Sequence, residues 1–274
     1  VLIAGCGYVG TALARLLVKD GVEVVAIRRS SVISEKGIET LLLDLSDPNV
    51  TSKLPQDCSH VVYAVSADSR TKEDYHQAYV QCLQHVLEAF DPKSGPVERF
   101  IFVSSTGVYG QDDGSIVTER SVTNPESFTG AEVLSGEGLV RDWGGAATVL
   151  RFGGIYGPGR TRLLTMAKSG ALSKERLGTM SNRIHLDDCA RLLQFILNLR
   201  DCPETLIGVD DKPCPLGEVV SWALCSLGQP VVDWEPLPCG KRCDNSLVRS
   251  LGFEFDYPDY RAGYASILKE FGTL

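Results

Sequence analysis

The sequence predicts an α/β fold: a doubly wound parallel sheet covered by helices, followed by a smaller C-terminal substrate lobe. Three observations predict it. Short apolar runs alternate with helical patterns through the first half of the chain. The first of those runs leads straight into a glycine-rich turn. After about Phe152 the rhythm gives way to loops rich in Gly and Pro. Strands that are apolar along their whole length belong in a sheet buried on both faces.

Taken in order, Val1–Ala4 reads as the first strand and Gly5–Gly10 as a turn. A helix follows with Val9, Ala12, Leu13, Leu16 and Leu17 on one face, and Gly21 ends it. Val22–Ile27, Thr40–Leu43 and His60–Val65 supply strands two to four. The helix between Glu73 and Phe90 is the clearest. Its Ala78, Tyr79, Cys82, Leu83, Val86, Leu87 and Phe90 recur at spacings of three and four, so Tyr79 reads as core. Arg99–Val103 and Ala147–Phe152 are strands five and six. Residues 1–152 are thus expected to form the dinucleotide-binding domain and 153–274 the smaller lobe, partly interleaved with the sheet. In the lobe, helices are expected over Leu186–Leu199 and Leu216–Leu227, before a tail broken by Pro230, Pro236, Pro238 and Pro258.

A net charge of -8 over 274 residues argues against nucleic acid or an anionic membrane as partner. No apolar run approaches the roughly 20 residues that span a bilayer. The nine cysteines include no Cys-x-x-Cys pair, and Cys239 and Cys243 have no histidine nearby. Reduced, buried thiols, a cytoplasmic location and no metal site are the expectation. Val1 already lies in an apolar run, so the natural start is expected to precede it.

Gly5-Cys6-Gly7-Tyr8-Val9-Gly10 is a G-x-G-x-x-G between a strand and an amphipathic helix, the context of a Rossmann-type dinucleotide site. Gly5 permits the turn, Gly7 admits the pyrophosphate and Gly10 lets helix and strand approach. The helix start at Tyr8 and Val9 turns its N–H groups to phosphate. At the end of the second strand, where an NAD site carries a carboxylate, stands Arg28, followed by Arg29, Ser30 and Ser31. Guanidiniums and hydroxyls suit a 2′-phosphate, so the cofactor expected is NADP(H) rather than NAD(H). Asp44 and Leu45 are expected at the adenine, and Ser66 near the pyrophosphate or nicotinamide ribose.

Beyond that loop, the chain resembles the extended and atypical short-chain dehydrogenase/reductases, more narrowly the NAD-dependent epimerase/dehydratase group. The resemblance rests on Phe102-Val103-Ser104-Ser105-Thr106-Gly107-Val108-Tyr109-Gly110 and Arg151-Phe152-Gly153-Gly154-Ile155-Tyr156-Gly157-Pro158-Gly159. Further support comes from Arg183-Ile184-His185-Leu186-Asp187-Asp188, from Lys241-Arg242 and from Tyr257-Pro258-Asp259-Tyr260-Arg261. It implies an oxidoreductase or epimerase/dehydratase-like protein acting on a small polar substrate, such as a nucleotide sugar, and a possible homodimer through the Glu73–Phe90 helix. It also implies that Ser104, Phe152 and Gly153 contact the cofactor and that Ser105, with Thr106 beside it, is the family's Ser/Thr.

The family's Tyr-x-x-x-Lys pair is missing. Counting back from Glu137 puts Val133 at the lysine and Thr129 at the tyrosine, and no tyrosine elsewhere has a lysine four residues on. A threonine hydroxyl is a poor acid-base group at neutral pH, and losing such a group typically forfeits about 10²–10⁴ in rate. Tyr109, Glu132 and His185 are candidate replacements. Arg160 and Arg183 either bind an anionic substrate or tie loop to lobe. His185 either touches substrate or is structural, with Asp187 capping the following helix. The rival to an enzyme is a catalytically silent NADP(H)-binding sensor or regulator.

Overall fold

The computed structural model describes residues 1–93 and 95–272. Seven strands form one sheet: β1 (Leu2–Ala4), β2 (Val24–Arg28), β3 (Ile38–Leu42), β4 (His60–Tyr63), β5 (Arg99–Ser105), β6 (Ala147–Phe152) and β7 (Thr205–Gly208). Their spatial order is β7-β6-β5-β4-β1-β2-β3. β1 pairs in parallel with both β2 and β4, so the strand order reverses at β1. In doubly wound sheets, ligands bind outside the carboxyl ends of the strands at such a reversal.

Each residue of β1 is fully buried, as its unbroken apolar run predicts. Helix α1 (Tyr8–Lys19) buries Val9, Gly10, Leu13, Ala14 and Leu17, and Gly21 follows it at φ +77°. The expected Glu73–Phe90 helix is three pieces: α2 (Lys72–His76), a π turn (Gln77–Gln81) and α3 (Cys82–Glu88). Tyr63, fully buried in β4, donates its hydroxyl to the carbonyl of Ala78 inside the π turn. The widened turn frees a carbonyl for that buried donor. β7 lies outside the strands foreseen, and β3 begins two residues before the expected Thr40.

The chain divides into two compact units. The first holds residues 1–110, 123–151 and 190–206, and the second residues 111–122, 152–189 and 207–274. The first unit's core stacks Tyr63, Phe100 and Phe102 of the sheet with Leu83, Val86 and Phe90. Helix α4 (Phe128–Asp142) closes on it so tightly that a Cβ on Gly136 would stand 2.5 Å from the Tyr79 carbonyl. In the second unit, Tyr156 and Tyr264 stack at 4.6 Å among Leu164, Val219 and Tyr260. Among the described residues no helix is long and apolar enough to cross a membrane.

Candidate functional site

The glycine turn at the end of β1 separates what the fold needs from what it does not. Gly5 sits at φ +82°, and a Cβ there would stand 2.6 Å from the Val65 backbone. One on Gly10 would lie 3.0 Å from both the Gly5 carbonyl and the Ile3 side chain. Gly7 is different. Its backbone is at φ -85°, and an added Cβ would meet nothing nearer than the Gly5 carbonyl at 4.0 Å. Packing therefore excludes a Cβ at position 5, crowds one at position 10 and leaves the space beside Gly7 open to a ligand. No side chain caps α1 and its first turn carries no acid. The positive end of the helix is thus left to an anion, and the loop fits a dinucleotide pyrophosphate.

Around this turn lie the residues expected at the adenosine end. Arg28 ends β2 close enough to Cys6 to act on its thiol, whose pKa burial pushes up. Among the described residues none bonds the Arg28 guanidinium. Arg29 is not so placed: it grips Asp68 with both terminal nitrogens, Nη1 to Oδ2 at 2.5 Å. Ser30 and Ser66 are exposed. Asp44 Oδ1 accepts from the Ser46 amide and hydroxyl at 2.9 and 2.8 Å. Leu45 is buried in the core, and its carbonyl pairs with His85 Nδ1.

At the ends of β5 and α4 a buried ionic network stands where the sequence suggested chemistry. Glu137 is fully buried and takes two bonds from Arg151, Nε at 2.8 Å and Nη2 at 2.6 Å. Ser104 Oγ donates to it at 2.6 Å and Arg141 Nη2 at 2.7 Å. Burial raises the Glu137 pKa, but the two guanidiniums and the Ser104 hydroxyl outweigh it and hold the carboxyl below its usual range. Arg151 Nη1 also donates to the Tyr109 hydroxyl at 2.7 Å, with the guanidinium over the ring. Tyr109 is 2% exposed, a member of this network, and Ser104 faces the network too.

Ser105 Oγ accepts from the Gly107 amide at 3.0 Å and caps the short turn in which Thr106 is buried. The first turn of α4 lies against that turn: a Cβ on Gly130 would stand 2.4 Å from the Gly107 carbonyl. Thr129 shares a hydrogen bond with Ser127 at 2.9 Å and Val133 is buried. Next to Val133, Glu132 is 8% exposed and pairs through Oε2 with His76 Nδ1 at 2.9 Å. The imidazole is 47% exposed, so the pair joins a buried carboxylate to an open ring. On the same helix as His76, Tyr75 stacks on Tyr79 and meets Phe128 edge-on.

The second unit contains a cavity of about 930 Å³ lined by Arg160, Arg162, Arg176, Arg183, Asn182 and Tyr156. Four arginines among its lining residues suit an anionic ligand. Arg160 reaches the Ile155 carbonyl at 3.1 Å, and the buried Arg183 bonds Ser181 and Cys214. His185 is 1% exposed, packed on Tyr257 with ring centroids 3.7 Å apart. Its Nδ1 accepts from the Asp187 amide, so His185 and not Asp187 caps the helix that follows. Burial lowers its pKa and keeps the ring neutral. Phe152 and Gly153 fall in this second unit, not in the first with the glycine turn, and Gly153 is explained by Val209, 2.9 Å from where its Cβ would be. Sequence reasoning overlooked Asp68 and His76. Their partners lie 39 and 56 residues away in sequence, and neither carries a local signal.

The model of the NAD dependent epimerase/dehydratase family matches residues 1–206. A structure from Methylobacillus flagellatus, described as an NAD-dependent epimerase/dehydratase, is 32% identical with a TM-score of 0.86, over 98% of this chain and 97% of that one. MoeE5 in complex with UDP-glucuronic acid and NAD shares the fold at 24% identity and a TM-score of 0.84, over 100% of this chain and 99% of its own. Protein YeeZ of Escherichia coli strain K12 is 25% identical, over 94% of this chain and 96% of its own. With that family model matched over residues 1–206, the chain belongs to the NAD-dependent epimerase/dehydratase family.

Proposed function

We propose that this protein binds NADP(H) in preference to NAD(H) along the glycine turn, and uses it on a small anionic substrate of the nucleotide-sugar class. The observation that carries the cofactor reading is Gly7, beside which the fold leaves open space at the place where a pyrophosphate approaches the backbone. Arg28, with no partner for its guanidinium among the described residues, supports the 2′-phosphate. The arginine-lined cavity supports the anionic substrate. So does the Bacillus subtilis relative named uncharacterized UDP-glucose epimerase YtcB, 30% identical over 52% of this chain and 44% of its own.

When bound, the nicotinamide supplies the acceptor or donor of a hydride. The chain must then handle the proton of the substrate hydroxyl. Of the three candidate replacements for the missing tyrosine, Tyr109 and His185 are buried and packed, whereas Glu132 holds an exposed imidazole. Glu132 Oε2 accepts from His76 Nδ1, which orients the ring and leaves Nε2 to give or take a proton. Ser105 stands by as the family's hydroxyl.

Calorimetry with NADPH and NADH, on wild type and Arg28→Asp, tests the cofactor reading. Tighter binding of NADPH, lost in the variant, is expected; binding of neither would overturn it. A second reading, a binding protein that senses NADP(H), is favoured by Thr129 and Val133 at the positions of the family's acid-base pair. Cofactor reduction on incubation with UDP-glucose or UDP-glucuronic acid decides for the enzyme.

A further inference from the structure

The sheet order puts β2 and β4 on either side of β1, so the segments that leave them flank the glycine turn. Arg29 is the first residue beyond β2, and Asp68 lies five beyond β4. These two side chains meet in a two-pronged ion pair. Asp44, beyond β3, and Cys82, on α3, both act electrostatically on Arg29, and Asp44 and Asp68 both act on Cys82. Four groups from four segments therefore surround one spot, at the end of the turn where the sequence expects the adenosine.

We propose that Arg29 and Asp68 form a clasp over the adenosine end of the dinucleotide groove, and that Asp68 sets the choice between NADP(H) and NAD(H) by competing with the 2′-phosphate for Arg29. The inference rests on the cofactor reading above. Both side chains are more than half exposed, 59% and 55%, so water screens the pair and it opens readily. A 2′-phosphate carries more charge and more acceptor oxygens than a carboxylate and can draw Arg29 away. Drawing it away leaves Asp68 bare beside the phosphate, and that repulsion counts against NADP(H). NAD(H) makes no such demand and leaves the clasp shut. Arg28 is then the standing phosphate ligand and Arg29 the one recruited, so Asp68 makes the protein less selective for NADP(H) than its two adjacent arginines alone would.

The test is a double-mutant cycle read by calorimetry, with NADPH and NADH on wild type, Asp68→Asn, Arg29→Ala and the double variant. Titrations of 2′,5′-ADP and 5′-ADP confine the effect to the adenosine end. Asp68→Asn is expected to tighten NADPH and 2′,5′-ADP roughly three- to tenfold, with NADH and 5′-ADP changed less than about twofold. In the Arg29→Ala background the gain shrinks below about twofold, and it fades at high salt. Thermal melts of all four proteins report folding. No change in NADPH affinity, an equal change for both cofactors, or a gain undiminished without Arg29 would overturn the clasp while leaving the cofactor reading standing. Wild type that binds neither cofactor brings down both.

Discussion

Two ends of the first unit differ in how far their polar groups are already engaged. At the glycine turn the groups are open: Gly7 keeps a hollow, Arg28 is unpaired among the described residues, and Arg29 is held by an exposed, screened ion pair. On α4 the buried Glu137 is fully engaged, taking bonds from Ser104, Arg141 and Arg151. The contrast separates binding from scaffold. Around Tyr109 and Arg151 the bonds to Glu137 anchor α4 to the sheet. Motif residues are therefore read as structure at one end of the unit and as candidate ligand contacts at the other.

Breaking the closed end gives the largest effect. Arg151→Ala strands a fully buried carboxylate, and removing one partner of such a pair costs about 3–5 kcal/mol. Chemical denaturation is expected to show a loss of that size, with NADPH affinity of the folded fraction unchanged; a neutral variant would show that the network does not hold α4. The same pairing fixes a pH dependence. The folded-state pKa of Glu137 is depressed, so its stabilisation is present above the unfolded value near 4.3 and is lost as pH falls through the lower folded value. Glu137→Gln should flatten that acid limb.

A buried carboxylate without such partners sharpens the contrast. Asp210, in the second unit, is 1% exposed, and its Oδ2 has no partner among the described residues. Burial pushes its pKa up to about 7, against the pull of Arg183. The sign is opposite to that of Glu137: the folded state binds the proton more tightly, so stability falls as pH rises from about 4 to about 7 and is level above. Three pH units correspond to at most roughly 4 kcal/mol, a ceiling that water penetration lowers. Asp210→Asn is expected to melt higher than wild type at pH 8 and no higher at pH 4. Equal shifts at both would show that Asp210 is ionised throughout.

What the sequence made legible follows from how local each signal is. The strand–glycine–helix unit at Val1–Lys19 can be read because its apolar strand, glycine turn and apolar helix face are contiguous. β7 escaped because Thr205-Leu206-Ile207-Gly208 is short and lies between Pro203 and the loop at Asp210, so nothing local distinguishes it from an irregular segment. The π turn escaped because its cause, the buried Tyr63 hydroxyl, lies 15 residues from Ala78. Site residues divide the same way. Gly5, Gly7 and Gly10 announce themselves, whereas Tyr109 and Asp68 take their meaning from Arg151 and Arg29, distant in the chain.

The smallest expected effect is also the most discriminating, because it tests two glycines of one turn against each other. Gly5→Ala places a Cβ 2.6 Å from the Val65 backbone at φ +82°, where an L-residue is strained, so it lowers stability before any ligand is added. Gly7→Val adds a Cβ that meets nothing nearer than the Gly5 carbonyl at 4.0 Å, so its melting temperature should fall less than that of Gly5→Ala. If the hollow at Gly7 serves a pyrophosphate, the valine methyls occupy the ligand's place, and NADPH affinity falls at least about tenfold, roughly 1.4 kcal/mol. A Gly7→Val protein that melts normally and binds NADPH as tightly as wild type would leave that glycine with neither a structural nor a ligand-binding cause, and the dinucleotide would have to lie elsewhere on the sheet.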